Sequence, residues 1–189
     1  MYGFTGDSTV MASELHVDAI KHSGGTSALT IDSSGNVHGA GMCVQTVNFT
    51  HSTVVDTNST SFVDSGLSGS ITPKFSNSKI FVNIYQHFRL SGDHDHGLSF
   101  KIIRTVGGSD TTVYTPATNY EYYLYDSTAN TTEDVRLDRF PIFVVDTPST
   151  TSACTYKVQY RSMRTDNNNL ASMQHGSNFS MGFLMEIAQ

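Results

Sequence analysis

Cys154-Thr-Tyr-Lys-Val-Gln-Tyr-Arg161 and Phe179-Ser-Met-Gly-Phe-Leu-Met-Glu-Ile187 both alternate with a period of two. In the first, Cys154, Tyr156, Val158 and Tyr160 fall on one side, and Thr155, Lys157, Gln159 and Arg161 on the other. In the second, Phe179, Met181, Phe183, Met185 and Ile187 share a side, opposite Ser180, Gly182, Leu184 and Glu186. Side chains alternate across a strand, so each stretch reads as a strand with one apolar face. Phe183 is then expected in the core, with Glu186 facing away from it. Leu184 and Gly182 make that second side partly apolar, so a neighbouring subunit is expected to cover it.

The same period recurs upstream. Val44 to Phe49 opens the series, and Ser61 to Thr72 alternates through Leu67 and Ile71. Ile80, Val82 and Ile84 face one way while Asn83, Tyr85 and His87 face the other. Leu98, Phe100 and Ile102 alternate with Ser99 and Lys101; Tyr120, Tyr122 and Leu124 follow, then Phe140, Ile142 and Val144. Turn-forming clusters separate these runs, and no helical periodicity competes. Some eight or nine short strands predict an all-β fold, a two-sheet sandwich of jelly-roll type.

Before the sandwich lies Leu15-His-Val-Asp-Ala-Ile-Lys-His-Ser-Gly-Gly-Thr-Ser-Ala-Leu-Thr-Ile-Asp-Ser-Ser-Gly-Asn-Val37. Leu15, Val17 and Ile20, then Leu29 and Ile31, mark two short apolar strands joined by Ser23-Gly-Gly-Thr26. A hairpin this small is marginal alone in water, so these five residues are assigned to an oligomerising or docking arm. Three parts follow: an extended tip at 1–12, the hairpin arm at 13–41 and the sandwich at 42–189, with Gly39-Ala-Gly41 as a joint.

Composition narrows the class. Charged residues make up 15%, well under the roughly 25% of an average domain. Ser and Thr fill about a quarter of the chain, which suits strands with polar turns. A net charge of −6 with scattered Lys and Arg excludes nucleic acid, which asks for a basic patch. No apolar run approaches the ~20 residues of a membrane span, so no membrane insertion is expected. Met1–Asp7 lacks the basic start and apolar run of a secretion signal, so the sequons at Asn48, Asn58, Asn130 and Asn178 are read as chance. Cys43 and Cys154 make no disulfide framework; Cys154, on an apolar face, is read as a buried thiol.

The arm quoted above resembles a segment of tail-fibre-like virion proteins of marine and cyanobacterial phages. Val44-Gln-Thr-Val47, Ser68-Gly-Ser-Ile-Thr-Pro-Lys-Phe-Ser-Asn-Ser-Lys-Ile-Phe-Val82 and Gly182-Phe-Leu-Met-Glu-Ile-Ala188 resemble their C-terminal domains. The resemblance implies a trimeric jelly-roll knob, similar to tumour-necrosis-factor and complement-type heads. It also implies a virion location, an arm that meets other virion proteins, and a knob that binds a host surface polysaccharide or outer-membrane protein. The alternative is a decoration or adaptor protein of the capsid or tail that touches no host.

Three constellations are candidates for chemistry. Asp93-His-Asp-His-Gly97 puts His94 and His96 on one side of an extended segment. Around a three-fold axis, as some phage fibres hold iron, they would offer an axial metal site; the plain alternative is a polar loop. No other cofactor is expected. Tyr114, Tyr120, Tyr122, Tyr123 and Tyr125 cluster: Tyr120 and Tyr122 are assigned to the core, Tyr123 and Tyr125 to a subunit interface. Arg164, Asp166, Asn167, Asn168 and Asn169, with Tyr114, are the receptor-binding candidates, because their side chains suit sugar hydroxyls. The Thr105–Asn119 and Met163–Gly176 stretches are expected to be binding loops. An enzyme is not expected: no nucleophile elbow, phosphate loop or zinc-protease motif occurs, and Glu133, Asp134 and Asp138 sit in or beside a polar loop.

Overall fold

Alternation translates into strands almost everywhere it was read. The computed structural model describes residues 17–31, 33, 35, 37–116, 120–125, 134–166 and 168–189; Leu15 of the arm and Asn167 of the Asn run lie outside them. The chain divides between Ala40 and Gly41 into two units.

The first unit holds β1 (Ala19–Lys21), β2 (Ser27–Ile31) and β3 (Val37–His38), paired antiparallel in that order. Gly25 turns β1 into β2 with a φ of 86°, which an L side chain resists. The third strand is an addition to the expected hairpin. Ile20 pairs with Leu29 but stays exposed, whereas Val17, Leu29 and Ile31 are half-buried. Among its described residues only His38 is buried, so the described part of this unit shows no apolar core.

The second unit runs β4 (Cys43–His51), β5 (Val55–Thr57), β6 (Val63–Ile71), β7 (Lys79–Gly92), β8 (His96–Val106), β9 (Ser109–Tyr114), β10 (Tyr122–Leu124), β11 (Asp134–Asp146), β12 (Cys154–Ser162), β13 (Leu170–Met173) and β14 (Ser180–Ile187). One sheet is ordered β4-β14-β7, with β11 on the other side of β7 and β13-β5 continuing beside the far half of β7. The other is ordered β10-β8-β12-β6, with β9 also on β8. Successive long strands alternate between the sheets, which is the wiring of a jelly roll. The expected all-β sandwich is therefore what forms.

The inner faces interdigitate. Ile80, Val82, Ile84, Phe88 and Leu90 of β7 meet Leu98, Phe100 and Ile102 of β8 and Tyr156, Val158 and Tyr160 of β12, all buried. Cys154 is buried, as expected, and burial pushes its thiol pKa up. The Phe49 ring lies between Gly69 and Gly182, one from each sheet; a Cβ at either position would overlap it. An inter-sheet cluster closes one side of the core: Arg104 Nη1 donates to Asp146 at 2.6 and 2.8 Å, and the Tyr156 hydroxyl donates to the same carboxylate at 2.8 Å.

The last strand is where the sequence reading fails. In β14 the buried set is Ser180, Gly182, Leu184 and Glu186, and Phe183 is on the outer face. Glu186 is fully buried yet satisfied: Oε1 accepts from the Lys74 and Phe75 N–H groups (2.8 and 3.2 Å) and the Ser78 hydroxyl (2.6 Å). Its Oε2 accepts from Gln45 Nε2 at 2.5 Å. A buried carboxylate persists only with such partners, and here a turn's own main chain provides them.

The outer faces differ in kind. On the β6-β12-β8 sheet the outer face is polar, with Lys157 3.2 Å from Asp110, Gln159 donating to Asp64 at 2.7 Å, and Ser70 bonded to Thr155 at 2.7 Å. On the β4-β14-β7-β11 sheet it is largely apolar along β14 and β11, while β4 contributes Thr46, Asn48 and Thr50. Register sets Phe183, Asn83 and Phe143 in one row across β14, β7 and β11, with Met185, Phe81 and Val145 in the row on one side and Met181, Tyr85 and Pro141 in the row on the other. Phe143, Val145, Met181 and Tyr85 stay 59%, 49%, 46% and 43% exposed.

Candidate functional site

At one end of the sandwich β7 turns into β8 through Asp93-His-Asp95, and the segment after β12 folds against that turn. Met163 N–H donates to the Gly97 carbonyl (2.9 Å) and Ser162 N–H to the Ser59 carbonyl (2.8 Å), so the segment is tied to both sides. Gly97 allows the approach: a Cβ there would sit 2.6 Å from the Tyr122 carbonyl. The Asp93–Asp95 turn then becomes a hub. Asn168 Nδ2 donates to Asp93 (2.5 Å), Arg164 Nη1 to the Asp95 carbonyl (3.2 Å), and the Tyr123 hydroxyl to the Asp95 carboxylate (2.8 Å). That last bond raises the Tyr123 pKa, because the neutral phenol is the donor. Asn168 has a φ of 53°, a left-handed turn conformation that Asn tolerates better than most residues.

The structure thus brings together two of the sequence candidates, the Asp93–Gly97 segment and the Arg164–Asn169 segment, with part of the tyrosine cluster. It also sorts their members. Arg164 and Asp166 pair at 3.2 Å on the surface. Asn169 is buried, its Nδ2 donating to the Asp166 carbonyl at 2.8 Å, so it shapes the loop instead of meeting a ligand. Tyr114 lies on β9 opposite Ile102, and its hydroxyl is given to Glu121; it supports Glu121 from behind. Burial raises the Glu121 pKa, opposed by the Phe100 N–H that donates to it at 2.6 Å.

Tyr120 departs from its expected core position. It precedes β10, is partly exposed, and stacks on Tyr123 with ring centres 5.2 Å apart and planes 20° apart. Tyr122 is half-buried and packs against the core, edge-on to Phe88 at 4.8 Å. Tyr125 is 72% exposed. The expected Thr105–Asn119 loop is instead mostly the turn at Gly107-Gly108 and strand β9, at the opposite end of β8 from the hub.

The histidine pair does not fit a shared axial ion. His96 is buried, and its Nδ1 is 2.6 Å from the His94 carbonyl, so this nitrogen is engaged within the chain. His96 Nε2 is enclosed and without a hydrogen-bond partner within the chain. Among the described residues no group of three His, Cys, Asp or Glu side chains is placed to hold a metal.

Beside the hub is a cleft of about 300 Å³ lined by Thr60, Tyr120, Arg161, Ser162, Met163 and Arg164. Sequence reasoning missed Thr60, Arg161 and Ser162. In the sequence Arg161 falls on the polar side of a strand, and nothing local links it to Tyr120. Its guanidinium lies 4.9 Å from the Phe62 ring centre, a cation–π contact that fixes it over that edge.

No family model and no curated protein matches this chain. Among solved structures it is similar to a mutant VP2 protein of infectious bursal disease virus in derived T=1 particles: 15% identity, TM-score 0.38, covering 90% of this chain and 40% of that one. For the Gt strain of that virus the figures are 14%, 0.35, 92% and 43%. For its VP2 subviral particle they are 12%, 0.32, 80% and 39%. This chain therefore spans only about 40% of the length of those viral chains. Superpositions this loose, at identities this low, carry no argument about what the chain does.

Proposed function

We propose that this protein is a virion structural subunit, a tail-fibre or adhesin knob that assembles as a homotrimer through the outer face of its β4-β14-β7-β11 sheet. The end of the sandwich around Asp93–Asp95 then recognises a host surface. The observation that carries the reading is the contrast between the two outer faces, one polar and ion-paired, the other largely apolar along β14 and β11. Tyr85, Phe143 and Phe179, each about half exposed, present roughly 300 Å² of aromatic surface between them. With Leu137, Val145 and Met181 the patch reaches roughly 500 Å², near the upper end for a lone subunit. That is more than half of the ~800 Å² per partner of a stable interface. Three-fold symmetry, the virion location and arm docking rest on the resemblance to phage fibre proteins.

Light scattering on the purified protein tests it, with a trimer expected at micromolar concentration. Phe143→Glu and Met181→Glu place charges on the patch without touching the core, so each is expected to yield a folded monomer. A wild-type monomer, or variants that remain trimeric, would refute the interface. Competition for host adsorption by the isolated knob separates a receptor binder from a decoration protein.

A further inference from the structure

We infer that the cleft between Tyr120, Arg161 and Arg164 binds an acidic saccharide, its sugar ring on the tyrosine and its carboxylate between the guanidinium groups. This rests on the host-recognition reading above and names the ligand class. Three features converge on it.

One wall is aromatic and held in place. Tyr120 is backed by Tyr123, which is itself tied to Asp95, so the ring is presented without being free to collapse into the cleft. A rigid, partly exposed aromatic face offers contact area at low entropic cost and stacks on the apolar face of a sugar ring. Met163 adds a second apolar contact on the same cleft.

The lining also carries two guanidinium groups, Arg161 and Arg164, although the chain as a whole carries −6. Arg161 is anchored over Phe62, and Lys101 lies 5.5 Å from the same ring, adding positive charge nearby. Arg164 is anchored by the Asp95 carbonyl, while its Nε pairs with Asp166, two-thirds exposed. Such an exposed pair is held weakly, so an incoming carboxylate can take its place on the guanidinium fork. An arginine already fixed by other contacts loses little freedom when it does so.

The dimensions fit. About 300 Å³ is the lower end of the small-molecule range and suits one or two sugar residues of a longer chain crossing an open cleft. Thr60 supplies a hydroxyl on the rim for sugar hydroxyls.

Isothermal titration of the intact wild-type protein with mannuronate hexasaccharide, neutral mannohexaose and sodium acetate tests this. The uronate oligomer is expected to bind at least ten-fold more tightly than the neutral one, with affinity falling as salt rises. Acetate alone is expected to show no binding in the same range. Arg161→Gln and Tyr120→Ala are each expected to weaken uronate binding ten-fold or more, with thermal midpoint and trimer mass unchanged. Arg161→Gln keeps the assay decisive should substitutions at Arg164 disturb the hub. Equal affinity for neutral and acidic oligomers, equal affinity for acetate, no binding at all, or binding indifferent to both substitutions would each overturn the inference. Any of these results from a protein that is trimeric and blocks adsorption would sink the ligand class and leave the wider reading standing. Loss of trimer or of adsorption blocking would sink the wider reading instead.

Discussion

Replacing Glu186 should cost this protein more than replacing Phe183, although the sequence pattern implies the reverse. Glu186→Ala removes the acceptor for the Lys74 and Phe75 N–H groups, the Ser78 hydroxyl and the Gln45 amide. Ser78 and Gln45 can turn to other partners, and Gln45 already donates to the Thr72 carbonyl at 2.6 Å. The two main-chain donors cannot move without unfolding the turn. At about 1.5–3 kcal/mol for each bond to a charged acceptor, their loss alone predicts about 3–6 kcal/mol. In a domain of this size that is a fall in Tm of roughly 6–24 °C. Glu186→Gln keeps one carbonyl oxygen for the same donors and should cost about 1–2 kcal/mol. Phe183 is half-buried on the outer face of a single subunit, so Phe183→Ala should cost only about 1–1.5 kcal/mol there. Urea titrations in a Phe143→Glu background, where the subunit is expected to be monomeric, measure all three without an interface contribution. A Phe183→Ala cost exceeding that of Glu186→Ala, or a Glu186→Ala cost under about 1 kcal/mol, would refute the register and the role given to the carboxylate.

Two further outcomes follow from the core and the outer face. Gly182→Ala pushes a methyl into the Phe49 ring and should cost about 1–3 kcal/mol; Phe49→Leu should recover part of it, and additive costs in the double-mutant cycle would show that the two do not touch. His87 is buried, and its pKa is lowered first by that burial, then by Arg139 and His175, with Asp138 opposing. The unfolded chain therefore binds this proton more readily than the folded one. The stability at stake is fully present above about pH 6.5 and is lost as pH falls below that value toward the depressed folded pKa. Urea midpoints between pH 5 and 8 should decline less on acidification for His87→Gln than for wild type, and parallel profiles would rule His87 out as the cause.

What the sequence by itself determined is the strand content and most of the inner face. In β12 one side is Cys154, Tyr156, Val158 and Tyr160 and the other carries Lys157, Gln159 and Arg161, so only one orientation keeps the charged groups wet. In β14 that logic has no purchase. Both sides carry large apolar residues, and the side with more of them faces outward, because the inner side is chosen by contacts distant in sequence. Gly182 is needed where Phe49 crosses, and Glu186 is needed by a turn more than a hundred residues earlier. The hub has the same origin. Asp93, Tyr123 and Arg164 are adjacent only because β8 pairs with both β10 and β12, setting the turn before β8 beside the segments that flank its two neighbours. Local alternation fixes which residues a strand turns to each side. Only the pairing of distant strands decides which side becomes the interior and which loops share an end, because those energies belong to contacts that no short stretch of sequence contains.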